Sequence, residues 1–76
     1  MKTFIMHANQ EVFVSSKHGW WAPETLRSKP TFSIKARDLE AAKRIAEKEV
    51  REKYEDEDVH VESINLSFPL VREVSA

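Results

Sequence analysis

The chain has no cysteine, a single glycine (Gly19) and three prolines among its 76 residues. The missing thiols exclude a disulfide framework and a thiolate zinc site. One glycine is too few for a phosphate-cradling loop or a dinucleotide fingerprint, both of which need glycines where backbone approaches phosphate closely. No apolar run nears the roughly eighteen residues of a membrane span. The opening Met1–His7 breaks at His7 and does not read as a signal peptide. The expectation is a cytoplasmic protein. None of the seven serines lies in a nucleophile elbow, and His7, His18 and His60 have no helical i,i+4 spacing that would gather a metal. No cofactor, catalytic residue or metal site is expected, and a chain this short has little room for a water-excluding pocket. It reads as a non-enzyme that works by binding.

What is present suffices for one folded domain over residues 1–76: 41% apolar and 33% charged residues. The net charge of −1 conceals a split. Residues 1–37 carry six Lys/Arg against two acids, and residues 38–76 carry six against eleven. Such asymmetry predicts two regions of opposite potential, able to orient a charged partner.

Alternation places Phe4, Met6, Ala8, Val12 and Val14 on one parity of a long strand over 3–14, interrupted by Gln10, where a bulge is expected. Ile5, His7 and Phe13 on the other parity predict that this face is partly covered too. Residues 15–31 read as a long loop, punctuated by Gly19, Pro23 and Pro30. Thr31–Ala36 reads as a strand with Phe32, Ile34 and Ala36 inward. Asp38 is a good N-cap for a helix over Leu39–Tyr54. Its apolar stripe is Leu39, Ala42, Ala46, Val50 and Tyr54, widened by Ile45, with i,i+4 pairs at Glu40–Arg44, Glu47–Arg51 and Glu49–Lys53. A strand over 59–68 follows, with a parity slip near Glu62–Ser63, and Pro69 is expected to end it. Leu70, Val71 and Val74 predict a short edge strand, and Ser75–Ala76 a frayed end. The order is β-loop-β-α-β. It predicts an α+β fold: an antiparallel sheet of three to four strands backed by one helix.

Two groups stand out as candidate contacts. Lys17, His18, Trp20, Trp21, Arg27 and Lys29 combine cations with aromatics in the predicted loop. That mixture suits phosphate and base, and also the anchors of protein interfaces. The plainer reading is that tryptophans of a small domain serve its core. Adjacent residues of extended chain point opposite ways, so one Trp is expected inside under either reading, and whether the other is an exposed contact stays open. Glu55, Asp56, Glu57 and Asp58 form the second candidate, an acidic patch, whose plainer reading is a solvated turn.

The segment Phe32-Ser33-Ile34-Lys35-Ala36 followed by Leu39 and Ala42-Lys43-Arg44-Ile45-Ala46 resembles small phage and mobile-element proteins, including anti-CRISPR inhibitors of type I surveillance complexes. The resemblance covers about a fifth of the chain and is mostly strand-to-helix grammar. It implies a non-catalytic phage protein in the host cytoplasm, an inhibitor or adaptor docking on a nucleoprotein complex. The alternative from the residues alone is a nucleic-acid-binding module using loop 15–31. Partners are expected to be a protein or nucleoprotein complex, with nucleic acid possible and no membrane, for a monomer or homodimer.

Overall fold

A computed structural model describes residues 1–74; the expected fraying of Ser75–Ala76 lies outside the described residues. Four strands and one helix follow one another as β1 (Lys2–Ser16), β2 (Glu24–Ser28), β3 (Thr31–Ala36), α1 (Leu39–Tyr54) and β4 (Val59–Val74). The α+β architecture matches the sequence expectation. β1 is the spine. β4 runs antiparallel along one side of it for its whole length. On the other side β2 pairs with residues 10–14 and β3 with residues 2–7, so the two short strands lie end to end. At their junction the Ala8 amide still donates to the Pro30 carbonyl at 2.9 Å.

The period-two pattern of β1 sorts the molecule into faces. Phe4, Met6, Ala8, Val12 and Val14 are buried on the side covered by α1, which contributes Ala42, Ala46 and Val50. Ile34 and Ala36 join them from β3, as expected, and Phe32 packs half-buried beside them. Small residues at 42 and 46 let the helix approach the sheet closely, and Asp38 caps its start by accepting from the Ala41 amide at 2.8 Å.

Several expectations need correction. The predicted loop 15–31 contains β2, whose alternation is too weak to betray it: neither Leu26 nor Thr25 is fully buried. The connection is only Lys17–Pro23. Pro69 does not end the last strand; β4 runs through it to Val74. β4 lies at the sheet edge and its register with β1 slips between His7 and Asn9, so the missing proline N–H is tolerated. The second slip, between Phe13 and Val14, makes Glu62 the extra residue, as the parity change near Glu62–Ser63 foretold. Ile45 is 37% exposed rather than part of the buried stripe. The helix ion pairs within 4 Å are Lys43–Glu40 and Lys48–Glu52, not the three expected. Finally, the β1 face carrying Ile5, His7 and Phe13 is not covered by any second layer among the described residues; Ile5 and Phe13 are half-buried and His7 is exposed.

Candidate functional site

The β1–β2 hairpin tip is tied down by many bonds. Ser16 Oγ accepts from the amides of His18 (3.2 Å) and Trp20 (3.0 Å). Gly19 sits at φ +73, a left-handed conformation that only glycine adopts cheaply. The Lys17 amide donates to the Asp58 carbonyl at 2.9 Å, and His18 Nε2 lies 3.3 Å from Asp58 Oδ1. The His18 ring stacks on Trp20, centroids 4.4 Å apart. The tryptophans diverge, although both lie in the bend of the connection rather than in extended chain. Trp21 packs against the cluster of Val12, Val14, Val50 and Val61, whereas Trp20 is 71% exposed.

The acidic run meets the same end of the molecule. Glu55 Oε1 accepts from the Val61 amide at 3.3 Å and lies 3.4 Å from His60 Nδ1. Asp56 Oδ1 accepts from the amides of Asp58 (2.8 Å) and Val59 (2.9 Å), an Asx turn that redirects the chain into β4. Three of the four carboxylates at 55–58 thus hold the turn or the hairpin. The two candidate groups meet here through the Lys17 amide and the His18 ring, both of which contact Asp58.

The six candidates of the first half do not form one cluster. Lys17, His18, Trp20 and Trp21 share the hairpin tip. Arg27 stands opposite Glu11, five residues along β1 from Ser16, or about 17 Å at strand rise. Its Nε donates to Glu11 Oε2 at 2.8 Å, while Asn65 Nδ2 donates to Glu11 Oε1 at 3.3 Å. Arg27 and Lys29 line a depression of about 450 Å³ on the open sheet face with Asn9, Glu11, Asn65 and Ser67. It forms because both neighbours of β1 lose register at the same level: β2 gives way to β3 on one side, and β4 bulges on the other. Asn9, Glu11, Asn65 and Ser67 were missed by sequence reasoning. The odd parity of β1 did mark Asn9 and Glu11 as facing away from the core, but their cross-strand partners depend on the bulges.

Among the described residues no three His, Asp or Glu side chains converge to hold a metal ion, and no helix is long and apolar enough to cross a membrane. Comparison with protein-family models, curated proteins and solved structures finds no match to this chain.

Proposed function

We propose that this chain is a non-catalytic binding protein, an inhibitor or adaptor that docks on a nucleoprotein complex through its β1–β2 hairpin tip. One observation carries the reading: Trp20 is 71% exposed on a loop pinned by Ser16, Gly19 and Asp58. A mobile loop would lose conformational freedom on binding; a fixed one avoids most of that cost. A large aromatic presented rigidly to solvent is the usual anchor of a protein interface. Lys17 and His18 beside it supply donors for a polar rim.

The test compares the parent with Trp20→Ala as immobilised bait in host lysate, with and without nuclease. Trp20→Ala is expected to keep its melting temperature and lose the captured partner. Trp21→Ala, which removes core packing, is expected to lower the melting temperature instead. Retention of the same partner by Trp20→Ala would refute the hairpin tip as the contact. Loss of all capture on nuclease treatment would point to nucleic acid as the sole bridge.

A further inference from the structure

The open face of the sheet has a charge pattern that the whole-chain balance hides. Cross-strand register puts Thr3, Ile5, His7, Asn9, Glu11 and Phe13 of β1 on this face. Their partners are Lys35, Ser33 and Thr31 from β3, Arg27 and Thr25 from β2, and Ser63, Asn65, Ser67, Leu70, Arg72 and Val74 from β4. Lys29 joins them at the depression. Four cations therefore lie on the face: Arg27, Lys29, Lys35 and Arg72, all exposed. Its carboxylates, Glu11 and Glu62, are both engaged within the face. Glu11 is held by Arg27 and Asn65, and Glu62 accepts from Ser15 Oγ at 2.7 Å.

We propose that this face binds single-stranded nucleic acid, with phosphates along the Arg27–Lys29–Lys35 side and bases over β1. Three features select that ligand. The cations lie mainly on the β2–β3 side, and Glu11 at the centre repels phosphate, so the backbone is displaced to one side and the bases fall over the spine. His7 and Phe13 offer ring faces on β1, six residues or about 20 Å apart, with the depression between them. Stacking on such rings is tolerant of base identity. The amides of Asn9 and Asn65 and the hydroxyl of Ser67 line the depression, where they can meet the donor and acceptor edge of an unstacked base. A duplex buries those faces and edges in its own stack, so only a single strand uses all three features. This surface is separate from the hairpin tip, so the two readings fail independently.

The test is fluorescence anisotropy with labelled oligothymidylate of about 16 nucleotides, the upper end of common single-strand site sizes, across a salt series. Three phosphates neutralised along the Arg27–Lys29–Lys35 side give a slope of log K against log salt of about −2. The triple variant Lys29→Glu, Lys35→Glu, Arg72→Glu, which removes two cations of that side and one across β1, is expected to keep its melting temperature and lose affinity roughly tenfold or more, with a slope shallower by about 1.4. Phe13→Leu is expected to weaken binding several-fold and leave the slope unchanged. If the triple variant proves unstable, Lys29→Gln alone still reads the slope. The proposal is overturned if the parent fails to bind, if the triple variant binds as the parent does, or if duplex of equal length competes as well as single strand. It is equally overturned if polyglutamate displaces the oligonucleotide as effectively, because the face would then be reading carboxylate charge on an acidic protein.

Discussion

Gln10 is the one polar side chain in the buried row of β1, and it is 5% exposed. From sequence it looked like an interruption of the alternation and a place for a bulge. Instead it keeps its parity, because its Nε2 donates to Ser28 Oγ at 3.2 Å across the β1–β2 pair. That partner is invisible without the register, since it sits in a stretch that reads as loop. A buried donor left without its acceptor loses the full desolvation term. Ser28→Ala is therefore expected to lower stability by about 1 kcal/mol or somewhat more in urea unfolding. Adding Gln10→Met removes the orphaned donor at similar volume and should recover most of that loss. Additive costs for the two substitutions would show that the hydrogen bond does not couple them. For the Trp20–Trp21 pair the sequence implied that one ring serves the core and left the other open; packing in the bend makes Trp21 the inner one and leaves Trp20 exposed.

Helix α1 was the most legible element, with both its bounds and its N-cap readable from Asp38 and the uninterrupted run to Tyr54. Its buried side is narrower than the apolar stripe, because a helix on a three-strand-wide sheet touches it along one line. Ala42, Ala46 and Val50 occupy that line, and Ile45 falls outside it. Ala46 is fully buried, so Ala46→Asp places an unpaired carboxylate between helix and sheet. The expected cost is several kcal/mol, on the order of the whole stability of a small domain. Circular dichroism melting checks this, and an unchanged midpoint would mean that the helix does not bear on the sheet through that residue. The strands were harder to bound. β2 owes its existence to pairing with residues 10–14 rather than to its own composition, and β4 persists through Pro69 because an edge strand can spare the hydrogen bond.

At the scale of the whole molecule the fold is a long, thin slab, 46 × 21 × 14 Å, with β1 interior and β4 exposed along one edge for sixteen residues. An unpaired edge of that length is a template for another chain, the more so with Leu70 61% exposed beside it. Two features break the edge into short pieces. The extra residue Glu62 twists one end, and Pro69 with its own register slip removes a donor near the other. Bulges, charge and proline are the devices by which sheets resist edge-to-edge pairing. Sequence alone suggested a strand end at Pro69, and the physical content of that signal is real: Phe68 and Pro69 have no partner on β1, and the pairing resumes at Leu70. Deleting Glu62 and replacing Pro69 by Thr should straighten β4 and restore its donor. Sedimentation equilibrium is then expected to give a higher average mass than the parent at the same protein concentration, with the increase steepening as concentration rises. A mass identical to the parent's, from a variant that remains folded, would mean that the charges flanking β4 guard the edge without help from the bulge or the proline.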